Sequence, residues 1–137
     1  MKRKDLQELA ALRLKEAKLL LKGNCPEGAY YLAGYAAECA LKACIAKRTE
    51  RFEFPDKTRV DKSWTHSLLG LVQTAELDKK LVDAREQQPE LDANWTIVSE
   101  WKPKCRYERR SSAQAEALIE ALEDRRYGVL RWLKHHW

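Results

Sequence analysis

The sequence is poor in the residues that punctuate short strands and in the motifs that mark several enzyme classes. Its 137 residues include five glycines and four prolines, too few for a sheet of many tightly turned strands. No apolar run approaches the ~20 residues that a membrane-spanning helix needs. The chain has no glycine-rich phosphate loop, no nucleophile elbow and no HExxH zinc motif. It therefore carries no signature of a P-loop hydrolase, a serine esterase or a zinc protease.

The four cysteines, Cys25, Cys39, Cys44 and Cys105, form no CxxC pair. On a helix, Cys39 and Cys44 are about 140° apart, so they cannot share a metal site. We expect small buried apolar side chains there, and neither a metal nor a cofactor. The N-terminal segment MKRKDLQELA turns polar again within a few residues, which is unlike a signal peptide. These features predict a reducing, cytoplasmic location.

What the chain does contain favours helix. Ala, Leu, Glu, Lys and Arg dominate, and these are strong helix formers. The length predicts a single domain covering 1–137. With 26 basic and 21 acidic residues, the formal net charge is +5. This mild excess favours solubility and permits an anionic partner without requiring one.

The most informative segment is EGAYYLAGYAAECALKACIAKR, residues Glu27 to Arg48. It has the length of a long helix and is apolar on nearly every face, whereas a surface helix shows one apolar stripe. It is therefore predicted to lie at the centre of a bundle. Its one internal carboxylate, Glu38, has Lys42 one turn later.

Periodicity and capping signals predict an all-α, up-and-down bundle of four to five main helices. The link GNCP predicts that the second helix folds back antiparallel to the first. The patternless segment from Thr49 to Trp64 is predicted to be a long loop. The first predicted helices are Asp5–Lys22, the central helix and His66–Thr74. The third of these is expected to be capped by Thr65 or Ser63 and to turn Leu68, Leu69, Leu71 and Val72 inward. The later ones are Asp78–Glu86, a helix from Pro89 to Trp101, one that opens with a Ser111–Gln114 capping box, and a final one from Val129.

Several of these elements together resemble the HEPN domain. They are AYYLAGYAAECALKA in the central helix, THSLLGL from Thr65, the pair Arg106-Tyr107 before the last long helix, and the closing GVLRWLKHHW. The resemblance spans nearly the whole chain. It implies a helical bundle that usually dimerises. It also implies a link to RNA cleavage, to nucleotide binding, or to toxin–antitoxin and defence systems that include a minimal nucleotidyltransferase.

The ribonuclease branch of that family uses an Arg-x(4–6)-His motif at the start of a late helix, and this chain departs from it. Arg106 stands at the corresponding place, but YERRSSAQ follows it without a histidine. Arg131 and His136 have the spacing, although at the C-terminal end, where a solvated basic helix end is the alternative. His66, near a predicted helix start, is the other candidate base, and capping or packing is its alternative. The candidate catalytic residues are thus His66, Arg131 and His136.

Glu38 has two interpretations. A hydrogen bond to a tyrosine hydroxyl, or an ion pair with Lys42 or Arg106, would fix the register of the bundle. Alternatively, Glu38 and Lys42 line a cleft beside Arg106 and Tyr107.

The segment KPKCRYERR supplies cations around one aromatic side chain, a composition suited to phosphates and bases. Neighbouring Trp101 is expected to add stacking. The candidate nucleotide- or RNA-binding residues are Glu38, Lys42, Lys102, Lys104, Arg106, Tyr107 and Arg109.

The sequence thus favours a dimeric, non-enzymatic nucleotide- or RNA-binding module that works with a partner nucleotidyltransferase. Two alternatives remain open: a metal-independent endoribonuclease of the same fold, and an interaction scaffold without catalysis.

Overall fold

The computed structural model describes residues 1–51 and 57–137, and this part of the chain is all-helical, without strands. It contains eight α-helices and one 3₁₀ helix, more than the four to five helices predicted. The α-helices are α1 (Arg3–Lys22), α2 (Pro26–Arg51), α3 (Lys57–Ser63), α4 (Leu68–Thr74), α5 (Asp78–Gln87), α6 (Pro89–Ser99), α7 (Ser112–Glu123) and α8 (Val129–Lys134), and the 3₁₀ helix is Pro103–Tyr107.

The central position predicted for α2 is confirmed. It packs against α1, α4, α7, α8 and the 3₁₀ helix. Its contact surface is made largely of alanines with no exposed area, which lets neighbouring helices approach closely: Ala29, Ala33, Ala36, Ala37, Ala40 and Ala43. Helix α1 runs antiparallel to α2 after a short turn in which Asn24 has a positive φ of 59°. Arg3 near the start of α1 accordingly reaches Glu50 near the end of α2, at 3.5 Å.

The loop predicted from Thr49 to Trp64 is wrong where the structure describes it. Helix α2 continues to Arg51, and α3 occupies Lys57–Ser63; residues 52–56, including Phe52, Phe54 and Pro55, lie outside the described part. Helix α3 packs against α4. Helix α3 is stabilised by this contact with a neighbouring helix, so its own sequence shows no apolar period that would have predicted it.

Helix α4 begins two residues later than predicted, at Leu68 instead of His66. Its cap is neither Thr65 nor Ser63 but Ser67, whose hydroxyl accepts a hydrogen bond from the backbone N–H of Gly70 at 3.1 Å. The shift leaves His66 outside the helix. It also turns Leu69 outward, 58% exposed, against the prediction that it faces the core.

The second half of the chain follows the prediction more closely. Helix α7 opens with the predicted capping box: the Ser111 hydroxyl accepts from the Gln114 backbone N–H at 3.1 Å, and the Gln114 side chain accepts from the Ser111 backbone N–H at 2.9 Å. The turn before α8 needs glycine, since a Cβ on Gly128 would lie 2.5 Å from the Asp124 carbonyl oxygen. Of the five tryptophans, Trp95 and Trp101 are buried, while Trp64 is 77% exposed.

Candidate functional site

One face of α2 carries the polar and aromatic residues of the candidate site. Tyr31, Tyr35, Glu38 and Lys42 follow one another at spacings of four, three and four, which puts them on one stripe of the helix. Two elements cover this stripe. The segment between α3 and α4 brings His66 onto it, and the segment between α6 and the 3₁₀ helix brings Trp101.

Glu38 is almost fully buried, with 1% of its surface exposed. Its Oε1 atom accepts a hydrogen bond from the Lys42 ammonium at 2.9 Å and lies 2.6 Å from Nδ1 of His66. The ion pair between Glu38 and Lys42, which the sequence offered as one way of fixing the register of the bundle, is therefore present. Its Oε2 atom is enclosed and accepts no hydrogen bond from the described part of the chain. We call Glu38, Lys42 and His66 the Glu38 cluster.

The tautomer of His66 follows from its partner. An ionised carboxylate can only accept hydrogen bonds, so Nδ1 of His66 must carry the proton that is donated to Glu38. In the neutral ring the lone pair is then on Nε2. The His66 side chain is 52% exposed. The ring is thus fixed on its buried side and accessible on the other.

An aromatic cluster of Tyr31, Tyr35 and Trp101 adjoins the Glu38 cluster. The Tyr35 and Trp101 ring centroids are 5.6 Å apart, and those of Tyr35 and His66 are 6.3 Å apart. A hydrogen bond with Tyr31, burial and the charge of Glu38 raise the pKa of Tyr35 to about 12. The Tyr35 hydroxyl therefore stays protonated at neutral pH.

Trp101 is seated directly on the α2 backbone at Gly34. A Cβ at Gly34 would lie 2.1 Å from atoms of the indole ring, so only glycine leaves room for it. Trp101 is 2% exposed. It cannot stack on a ligand as predicted; it supports the two tyrosines instead.

Arg106 and Tyr107 lie at the far end of the aromatic cluster, on the 3₁₀ helix. The pKa of Arg106 is raised, first by a side-chain hydrogen bond with Tyr31 and then by one with Tyr107. The Arg106 guanidinium also lies 4.9 Å from the Tyr107 ring centroid. Tyr107 itself is 81% exposed. Contacts through Tyr31 and Tyr35 thus join Arg106 to the Glu38 cluster.

The remaining basic candidates lie around this 3₁₀ helix. Lys102 and Lys104 are exposed. Arg109 is 97% exposed, with Glu27 at 3.5 Å. Arg110, which the sequence did not single out, is better anchored: it lies 4.6 Å from the Tyr30 ring centroid and donates to Glu108 at 2.8 Å. It fixes the segment against α2.

Arg131 and His136 are not brought together with the Glu38 cluster. Arg131 donates to the Arg125 carbonyl at 2.9 Å and lines one cavity. His136 packs on Trp132, with ring centroids 4.7 Å apart, and lines another. His135 contributes to both cavities. The Arg-x(4)-His spacing therefore does not put these two side chains in one cleft.

No protein-family model, curated protein sequence or solved structure matches this chain. Among residues 1–51 and 57–137, no three His, Cys, Asp or Glu side chains form a group able to hold a metal ion. Within the same ranges, no helix is both long and apolar enough to cross a bilayer. The interpretation of the site therefore depends on its own geometry.

Proposed function

We propose that this chain is a HEPN-like nucleotide- or RNA-binding module, and that the ligand lies along the face from Tyr107 to His66. One observation carries the proposal: Tyr107 is 81% exposed, and the guanidinium of the adjacent Arg106, which is also exposed, lies 4.9 Å from the Tyr107 ring centroid. An exposed aromatic ring beside a guanidinium offers a base a surface to stack on and a phosphate a cation to pair with.

The charges around this pair favour the same ligand. Lys102, Lys104 and Arg109 lie within a few residues of Tyr107, and all three are exposed. Exposed cations attract a polyanion from a distance and release counterions when it binds. They contribute affinity without sequence preference, so we expect single-stranded RNA to bind with little discrimination between sequences.

The Glu38 cluster extends the face at its other end. Lys42 is held by Glu38 but remains partly exposed, at 23%. Nε2 of His66 offers an acceptor to a base or a ribose hydroxyl. Trp64, two residues before His66, is 77% exposed and offers a second stacking surface.

A homodimer and a minimal nucleotidyltransferase partner belong to the proposal because the HEPN resemblance implies them. Large apolar side chains left exposed are compatible with covered surfaces in an assembly: Leu12, Leu19, Leu69 and Val82. Light scattering tests the dimer directly. A mass equal to one chain at micromolar concentration contradicts it.

Fluorescence anisotropy with a short labelled single-stranded RNA tests the binding face. We expect Arg106→Gln to weaken binding and to reduce the dependence of log affinity on log salt concentration by about one unit. Tyr107→Ala should cost about 1–3 kcal/mol of binding free energy, the range for one stacked base. The matched control is Arg126→Gln, which removes one exposed positive charge elsewhere. If all three variants bind like the parent, the proposed face is wrong.

The structure also favours a second candidate function, metal-independent RNA cleavage, through the 2.6 Å contact between His66 and Glu38. A carboxylate behind a histidine orients the ring and stabilises its protonated form. His66 Nε2 would take the proton of a ribose 2′-hydroxyl, and the 2′-oxygen would attack the adjacent phosphorus. The bond to the 5′-oxygen would break, leaving a 2′,3′-cyclic phosphate, and the 5′-oxygen would take a proton from the imidazolium or from water.

A cleavage assay with a chelator present separates the two functions. If the chain is a nuclease, His66→Gln should abolish cleavage, Glu38→Gln should reduce it, and His135→Gln, an exposed control, should not. His136→Gln tests the alternative that Arg131 and His136 carry the reaction. Absence of cleavage by the parent protein leaves the binding module as the function.

A further inference from the structure

A second group of cations surrounds a small pocket elsewhere on α2. The pocket has a volume of about 190 Å³, well above the ~10–15 Å³ that a cavity needs to hold one water molecule. We call it the His136 pocket. It is lined by Cys44, Lys47, Arg48, Ala75, Leu77, Lys80, His135 and His136.

Its positive groups come from separate parts of the chain. Lys47 and Arg48 belong to the last turns of α2, Lys80 to the first turn of α5, and His135 and His136 follow α8. None of the described lining residues is acidic. Glu76, next to the lining residues Ala75 and Leu77, pairs with Arg48. Lys47, Lys80, His135 and His136 therefore leave the pocket with an excess of positive groups.

The floor and the electrostatics of the pocket indicate a specific site. Cys44, Ala75 and Leu77 are buried and give the pocket an apolar base. Burial, followed by the nearby charges of Lys80, His135 and Lys47, lowers the pKa of His136. The protonated imidazole is thus disfavoured there, and a bound anion would relieve the repulsion.

The His136 pocket lies on a different face of α2 from the one proposed to bind RNA. Lys47 is nine residues after Glu38, so it lies about 180° around α2 from the Glu38 cluster. A ligand on the Tyr107–His66 face would be on the opposite side of the helix. The His136 pocket is therefore a separate site.

We propose that the His136 pocket binds a phosphate or diphosphate group, either free or as the terminal group of a nucleotide. Oxyanions of this size match a small cavity with several donors, and lysine and protonated histidine are charge-assisted donors to them. A base and ribose would extend outward past the exposed His135.

Calorimetric titration with inorganic pyrophosphate at fixed ionic strength tests the proposal. We expect saturable 1:1 binding that weakens at least about tenfold, a change of ~1.4 kcal/mol, when Lys47→Gln and Lys80→Gln are combined. The matched control combines Lys15→Gln and Lys22→Gln, which remove the same charge from α1, and it should bind like the parent. No saturable binding, or an equal loss in both double variants, overturns the proposal.

Two further titrations identify the ligand and test the role of the histidines. Titrations with ADP and AMP distinguish the source: tighter binding of ADP than of pyrophosphate indicates a nucleotide, and the reverse indicates the free ion. Sulfate, whose charge is constant between about pH 6 and pH 8, reports the histidines: its affinity should rise as pH falls, and less so in His136→Gln. Affinity that is independent of pH in the parent removes His136 from the site. Since Arg106 and Tyr107 are unchanged throughout, these results do not depend on the RNA-binding proposal.

Discussion

The imidazole Nδ1 of His66 lies 2.6 Å from Oε1 of Glu38, and the Lys42 ammonium contacts the same oxygen at 2.9 Å. One buried carboxylate thus joins the central helix to the segment that leads into α4. Two donors on one oxygen compensate for removing the charge from water, while Oε2 stays unpartnered among the described residues. Such an arrangement holds its neighbours in one register.

We therefore expect Glu38→Gln to destabilise the fold. The amide keeps the shape of the side chain but removes the negative charge that faces the Lys42 ammonium and His66, at a cost of about 1–3 kcal/mol in the free energy of unfolding. Urea denaturation measures it. Glu50→Gln, at an exposed ion pair with Arg3, should cost under about 1 kcal/mol. Equal losses in the two variants would mean that burial of Glu38 contributes nothing.

Part of the Glu38 cluster could be predicted from the sequence and part could not. The apolar surface of α2 predicted a central helix, and the carboxylate within it marked the site. The partner His66 was visible only as an isolated candidate, because 28 residues separate it from Glu38. Helix α3 and the late start of α4 turn its ring toward Glu38. Neither α3 nor the start of α4 at Leu68 is marked by an apolar period in the sequence.

Local signals were reliable where the residues themselves decide the structure. The Ser111–Gln114 capping box forms as predicted because both hydrogen bonds lie within four residues. Trp101 is the opposite case. The sequence predicted that Trp101 would stack on a ligand, and nothing local shows that it is buried against Gly34 instead.

That contact makes Gly34→Ala a strong test of the aromatic cluster. Its Cβ would lie 2.1 Å from the Trp101 indole, so the ring must move, and Tyr31 and Tyr35 lose their support. We expect a loss of about 3 kcal/mol or more in stability, at or above the upper end for overpacking, with a red shift of tryptophan emission.

Gly28→Ala is the control on the same helix. Its Cβ would lie 3.2 Å from Cδ1 of Leu20, a flexible side-chain end that can yield. Alanine is also favoured over glycine in a helix by about 0.5–1 kcal/mol, so stability should be unchanged or slightly higher. Comparable destabilisation by both substitutions would show that Trp101 does not depend on Gly34.

The cysteines should differ sharply in reactivity. Cys25 is exposed, whereas burial raises the pKa of Cys44 to about 12. Because the thiolate is the reactive form, we expect a disulfide reagent near neutral pH to modify Cys25 at least about a hundredfold faster than Cys44. Absorbance of the released thiol measures both phases. Cys25→Ser should remove the fast phase, and denaturant should expose the rest; a fast phase that survives the substitution would contradict the structure.

The last prediction concerns the pH dependence of stability. Burial and the charges of Lys80, His135 and Lys47 lower the pKa of His136 below its usual 6.5. The unfolded chain then binds the proton more readily than the folded one, so the contribution of this group is complete above about pH 6.5 and is lost as pH falls through the lower folded value.

Urea unfolding at about pH 7.5 and pH 5.5, in a buffer without polyvalent anions, measures this change. His136→Gln should lower stability less at the acidic pH than at the alkaline one, because the variant has no proton to take up. His135→Gln should weaken the dependence in part, since the charge of His135 is one of those that lower the pKa of His136. Adding pyrophosphate should restore stability to the parent at the acidic pH and less to His136→Gln, since a bound anion favours the protonated ring. A parent and His136→Gln with the same pH dependence would show that His136 does not feel the charges around its pocket.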